Sequence, residues 1–366
     1  MTNRIVKAAQ DLQNCYGVRV LACLVLLVGC GDNLNPVEPW ILPAVDSADG
    51  LWIRTPEFPV ASSTELQDCY FFRVPDIANG ADLWVDHTTL ALNPGSHHMN
   101  VFRVKTIVGL DPANATPVDM GGVQGSVIHG ADDLACWKSA NWADWPLVAN
   151  SQQSAADQQT LDWELPQGVA ARFSPGEMLM LQIHYVNATD QVTPWVGRGG
   201  INLYRSKDND TMELGTLFAT QQNIRVCESN PTPHYSGACA LPAGTRTVVG
   251  ANGHFHSRGT RFQMWAWDGT STTTPASSQR FYDNLDWNEP KMETKLAFAL
   301  PPTGGVWWQC DYQWSPPETG CDAVNAADKQ GANDCCYTFG PKVETNEHCN
   351  AFVYYYPKAT GDVSCF

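Results

Sequence analysis

The chain has 366 residues, 43% of them hydrophobic and 16% charged, which is enough apolar material for a full core and a length that suggests about two domains. Its 38 acidic residues outnumber 22 basic ones for a net charge of −16, and no Lys/Arg cluster occurs, so nucleic acid and anionic membrane surfaces are disfavoured as partners. The abundance of Gly, Pro, Trp, Thr, Val and Tyr excludes a disordered or fibrous chain and points to short strands joined by turns.

The N-terminus reads as an export signal. Arg4, Lys7 and Arg19 precede the apolar run Val20 to Val28, which is too short to span a bilayer and about the length of a signal-peptide core. The run closes in Leu27-Val28-Gly29-Cys30, similar to a bacterial lipobox; that resemblance implies cleavage before Cys30 and lipidation of Cys30. An ordinary secretory signal is the alternative, and either reading exports the protein. Residues 1–29 carry three positive charges and one negative, so their removal takes the net charge from −16 to −18. An acyl anchor would hold the body at a membrane, on the periplasmic face or the cell surface, with residues 30–48 as a polar tether. Setting aside Cys15, Cys23 and Cys30 leaves ten of the 13 cysteines, an even number that suits up to five disulfides in an oxidising compartment. No C-x-x-C zinc spacing is present.

From Leu51 onward the pattern is that of an all-β protein. Strands are predicted at Cys69 to Val74, Leu83 to Leu92 and Met99 to Ile107, each bounded by Gly, Pro, Asn or Asp. Residues 108–160 read as loop-rich. Strand character returns at Val169 to Phe173 and is strongest at Met178 to Val186. The polar stretch Arg205 to Thr211 marks a boundary between halves. The second half repeats the style at Thr245 to Gly250, Thr260 to Trp267, Thr294 to Leu300, Val306 to Tyr312 and Ala351 to Tyr356, with a Cys-rich loop from Cys321 to Cys336 that needs disulfides for order. No long amphipathic helix and no internal repeat occurs. The economical architecture is two tandem antiparallel, jelly-roll-like β-sandwich domains, 49–205 and 206–366.

Six of the nine histidines fall in recognisable places. His97 and His98 follow the turn signal Pro94-Gly95. Adjacent side chains on a strand point to opposite faces, so both serve one ion only if the backbone bends or the ion sits at the strand end. His184 stands in an otherwise apolar strand, where a hydrogen-bonded core histidine is the plainer reading. His254 and His256 have the i, i+2 spacing that puts two imidazoles on one strand face. His348 precedes an aromatic strand. His87, His129 and His234 read as surface or hydrogen-bonding residues, and Trp84, Trp307, Trp308 and Tyr354 to Tyr356 as packing aromatics.

Taken in order, these stretches resemble the copper type II, ascorbate-dependent monooxygenases, the family of peptidylglycine α-hydroxylating and dopamine β-monooxygenase. Cys69-x-x-x-Arg-Val-Pro75, His97-His98-Met99-x-x-Phe102, Leu181-Gln-x-His-Tyr185, His254-x-His256-x-x-Gly259 and Glu347-His348-Cys349 with Tyr354-Tyr-Tyr-Pro357 carry the resemblance across most of residues 65–366. It implies two copper ions: His97, His98 and His184 as metal ligands of an electron-storing ion, and His254, His256 and His348 as the metal ligands and catalytic residues where dioxygen and a small-molecule substrate react. It further implies ascorbate or another one-electron donor, with Gln182 facing the space between sites. The imidazole set by itself would equally accept zinc. The disulfides Cys69–Cys136 and Cys310–Cys349 follow from the same resemblance; Cys227 with Cys239 is suggested by proximity alone, and Cys321, Cys335, Cys336 and Cys365 are left unpaired.

The departures are informative. His348 stands where the family has methionine, and an imidazole favours Cu(II) where a thioether favours Cu(I). Met292 does not match the ligand motif. Asn252 and Phe352 stand where the peptide-processing member has an arginine and a tyrosine, which argues against a glycine-extended peptide substrate, and Val104 replaces a family cysteine. A dicopper C–H hydroxylase is the first expectation. A copper-buffering surface lipoprotein without hydroxylase activity is the second, and a disulfide-rich adhesin with incidental histidines the third.

Overall fold

A computed structural model of the protein describes residues 42–366 apart from 94, 106–114, 130–144, 152–159, 188–194, 208–211, 289, 319 and 328–333. The expected signal segment with Cys30, and Cys136, lie outside the described residues. The chain is almost entirely β; among the described residues the only α-helix is the seven-residue Cys321–Ala327, and no helix is long and apolar enough to cross a membrane.

Two six-stranded sheets form the first half. One runs Thr116–Asp119, Gln124–His129, Thr64–Arg73, Met178–Asn187, Ser96–Arg103, Leu147–Ser151. The other runs Gly50–Arg54, Gly199–Arg205, Leu83–Leu92, Val169–Phe173, Met212–Glu213, with Thr160–Glu164 also paired to Leu83–Leu92. The sheets face each other because alternate residues of both are apolar: Tyr70, Val101, Leu181 and Ile183 share a core with Val85, Leu90 and Ile201. The opposite face of the first sheet is unusual. Register places Glu65, Gln67, His98, Asn100, Gln182 and His184 together on it, a polar patch on strands that are otherwise buried and apolar.

The second half has a five-stranded sheet (Phe298–Leu300, Arg246–His254, Asn350–Tyr356, Gly215–Thr220, Val363–Cys365) and a four-stranded sheet (His234–Ala240, Gly305–Tyr312, Gly259–Trp267, Arg280–Asn284). Val248, Ala251 and Val353 meet Phe262, Met264 and Val306 in their shared core. A three-stranded sheet of Arg225–Cys227, Cys336–Phe339 and Asn346–Glu347 sits beside them in sequence.

The outer face of the five-stranded sheet is not exposed. Val249, Phe352 and Tyr354 belong to the same apolar cluster as Trp163 and Leu147 of the first half. The Tyr354 ring meets Trp163 edge-on at 4.8 Å, Tyr354 donates to Asn150 Oδ1 at 2.5 Å, and Asn150 Nδ2 donates to Asn252 Oδ1 at 2.9 Å. Residues 39–366 accordingly make one compact unit. Sequence reasoning led to separate halves; instead their facing surfaces are packed at this seam, because Asn252 and Phe352 are used as contacts.

Other differences have local causes. Residues 108–160, read as loop, contain Thr116–Asp119, Gln124–His129, Leu147–Ser151 and Thr160–Glu164; these are short, and several carry too many polar residues to show periodicity. The strand predicted at Met99 to Ile107 begins at Ser96 and, in the described residues, ends at Arg103. The exchange of sheet partners falls between Glu213 and Gly215, later than the expected boundary at 205/206, because Met212–Glu213 pairs in parallel with Val169–Ala170. Cys310–Cys349 is present as the resemblance implied, and Cys69 is disulfide-bonded. The pairing of Cys227 with Cys239 is wrong: Cys227 bonds Cys336, its direct partner across adjacent strands, and Cys239 bonds Cys365. Twelve residues of sequence do not bring the two together because they lie on strands of different sheets. Cys321–Cys335 closes the Cys-rich loop.

Candidate metal centre

Register explains how His97 and His98 reach one place. His98 lies directly opposite His184, and the next pair is Ser96 with Tyr185, so His97 is the extra residue of a β-bulge. A bulge breaks strict alternation, which answers the geometric objection to adjacent histidines. Just upstream, Gly95 has φ +89°, and a Cβ there would lie 2.3 Å from the Trp195 ring, so only glycine fits. His98 and His184 form a cross-strand pair on the polar sheet face.

In the second half, His254 is the last residue of its strand and His256 lies in the connection to Gly259–Trp267. Phe255 between them is fully buried in the second core, which turns the two imidazoles the other way. The Gly259 amide closes the turn on the His256 carbonyl at 2.9 Å. His348 sits between two strands, held by the neighbouring Cys310–Cys349 disulfide and by the Tyr312 hydroxyl, which donates to its carbonyl at 2.6 Å.

All six histidines converge. Each is at most 5% exposed, and neighbouring ring centroids are separated by 4.4 Å (His256–His348) to 5.3 Å (His97–His98). The ligand atoms of His97, His98 and His184 lie within 4.8 Å of one another, and so do those of His97, His254 and His256. His348 joins through His256 and through His254 at 5.1 Å.

Hydrogen bonds on the far sides of the rings fix which nitrogen is left for the centre. His98 Nε2 donates to Gln182 Oε1 at 3.1 Å, so Nδ1 carries the lone pair; the same oxygen accepts from Asn100 Nδ2 at 3.0 Å. Gln182 thus orients a ring. His184 Nε2 donates to Glu65 Oε1 at 2.7 Å, which frees Nδ1. His256 Nδ1 donates to the Asn346 carbonyl at 3.0 Å, which frees Nε2. Carboxylate or carbonyl partners of this kind are what set the tautomer of metal-binding histidines.

The electrostatics agree. Burial, then the mutual repulsion of neighbouring imidazoles, holds His97, His98, His254 and His348 well below the ordinary histidine range. Burial pushes His256 down to about 4 against its hydrogen bond to Asn346. These rings are neutral donors at pH 7. Burial is the largest influence on Glu65 and would raise it, but the hydrogen bonds from His184 and the Val343 amide and the electrostatic pull of His184 and His256 together outweigh burial, and the carboxyl stays below its usual range. Glu347, fully buried, is raised by burial to about 8 although it accepts from the His256 and Arg258 amides at 3.1 and 2.8 Å.

A hydrogen-bonded core histidine uses both nitrogens. Here His97 Nε2, His98 Nδ1, His184 Nδ1 and His256 Nε2 are buried with no hydrogen-bond partner. Each such nitrogen costs about 1–3 kcal/mol, a penalty that four rings turned toward one another incur together and a bound cation removes. The residues therefore fit a metal with a preference for imidazole, copper or zinc. By contrast His87 and His129 hydrogen-bond Asp162 and Asp68, and Met292 packs in the apolar core. Sequence reasoning missed Glu65 and Asn150. Glu65 lies on the same strand face as His184, visible only once the register of distant strands is known.

No protein-family model and no curated protein matches the chain. Among solved structures, the major capsid protein P2 of bacteriophage PM2 is 9% identical, with 83% of this chain and 96% of that one covered at a TM-score of 0.27. The VP2 subviral particle of infectious bursal disease virus is 10% identical, with 88% and 80% covered at a TM-score of 0.15. Likeness at this level says nothing about function.

Proposed function

We propose that the chain is an exported copper redox protein similar to the copper type II, ascorbate-dependent monooxygenases, tethered to a membrane by lipid on Cys30. The observation that carries this reading is the meeting of six buried imidazoles from four distant segments, with nitrogens of His97, His98, His184 and His256 buried there without a hydrogen-bond partner. When bound, copper would supply one-electron redox cycling and, with ascorbate or another donor, dioxygen chemistry toward a substrate C–H bond. The chain's own contribution is positional. Gln182, Glu65 and the Asn346 carbonyl hold the protons of His98, His184 and His256 on the outer nitrogens, and the apolar seam around Trp163 and Tyr354 limits water. His254, His256 and His348 would form the oxygen-side ligand set.

A second reading, copper buffering without hydroxylation, is favoured by His348 itself. It supplies imidazole where the family has a thioether, which favours Cu(II), and all six rings are buried. Metal analysis of the reconstituted protein, followed by oxygen uptake with reductant, separates the readings. Less than one copper per chain sinks the site. Copper binding without uptake in the wild type, and uptake in His348→Met, supports buffering; reductant-dependent uptake that His348→Met abolishes supports the hydroxylase.

A further inference from the structure

The resemblance implies two ligand sets, one per half, but the spacing of the rings does not respect that division. Within the first set the centroids are 5.3, 5.1 and 4.9 Å apart. Across the seam, His97 lies 4.8 Å from His254 and 5.3 Å from His256, and His98 lies 5.0 Å from His254. Rings from different halves are as close as rings from the same half. His97 also stands in both of the compact ligand-atom groups, and Glu65 ties the halves together by accepting from His184 Nε2 at 2.7 Å and from the Val343 amide at 3.1 Å.

We infer that the six histidines form a single two-copper centre, with His97 at the joint between the ligand sets, and not two independent copper sites. This rests on the copper reading above. His97 is suited to the joint because the bulge takes it out of the register that fixes His98 against His184, and because its Nε2 is buried without a hydrogen-bond partner. The packed seam leaves the two sets no room to separate: Asn150, Asn252 and Tyr354 are hydrogen-bonded across it, and a Cβ on Gly250 would lie 2.8 Å from the Trp163 ring. Two-metal centres of this compactness hold their ions about 3.5–4 Å apart, a separation at which two Cu(II) spins couple and their ordinary resonance is suppressed.

The test is copper quantitation with EPR spin counting on the full exported protein loaded with Cu(II). Two coppers per chain with a spin count well below two supports the single centre. Two coppers with two full, independent signals overturn it and leave the copper reading standing; one copper per chain also overturns it; no copper overturns both. Ligand removal adds a second readout. His97→Ala and His184→Ala should each weaken one ion, by about 100-fold or more, and bring the spin count per bound copper close to one; unchanged copper and spin counts in His97→Ala overturn its place at the joint. Should either variant fail to fold, the wild-type spin count still decides.

Discussion

The two ligand sets reach the same place by different means. His98 and His184 are fixed by the ladder of a central strand pair, with only His97 displaced by a bulge. His254, His256 and His348 stand at a strand end and in two connections, where no continuous ladder holds them; a buried disulfide and the buried carboxyl of Glu347 do so instead. A sheet can specify a ligand position through register alone, while a loop needs covalent or hydrogen-bonded bracing. The first set should therefore resist changes that dislodge the second.

The largest effect expected involves both sets. His97, His98, His254, His256 and His348 are held below their unfolded value of 6.5. Above that pH both folded and unfolded chains are neutral at these rings, and the full stability is present. Below it the unfolded chain takes up protons that the folded chain refuses, so stability falls with pH, by up to about 1.4 kcal/mol per pH unit for each ring. Urea unfolding of the metal-free protein at pH 7.5 and 5.5 should show a steep loss, and a flat profile would contradict the burial of these groups. Next comes the brace: Cys349→Ser should cost about 2–5 kcal/mol in thermal unfolding and release His348, with less effect on the first set. Equal damage to both sets would break the comparison.

The first set has its own weak point in Glu65. Glu65→Gln removes the charge behind His184 and should lower copper affinity about 10–100-fold with little change in unfolding, as measured by competition with a chelator. His348→Met should have the smallest effect on binding, leaving the copper count unchanged while moving preference toward Cu(I), visible as a raised reduction potential. Loss of an ion would show that His348 is indispensable to the second set.

Much of this was legible in the sequence. Alternation and turn residues marked the strands bearing His184 and His254, and i, i+2 spacing with Phe255 between placed His254 and His256 on one side. The bulge at His97 was not legible, since it depends on pairing with a strand about 85 residues away in sequence. The seam was not legible for the same reason: Asn150 and Asn252 look like ordinary polar residues until two sheets meet, and Glu65 gains meaning only from the register of three strands. The Cys227 and Cys239 pairings failed because strand neighbours, not sequence neighbours, decide which sulfurs meet.

Copper per chain, measured after reconstitution and removal of excess metal and paired with the unfolding temperature, tests the central claim most directly. Two tightly held ions and a raised unfolding temperature that a chelator reverses are the predicted result. Less than one ion per chain, with unfolding unmoved by copper, would contradict it.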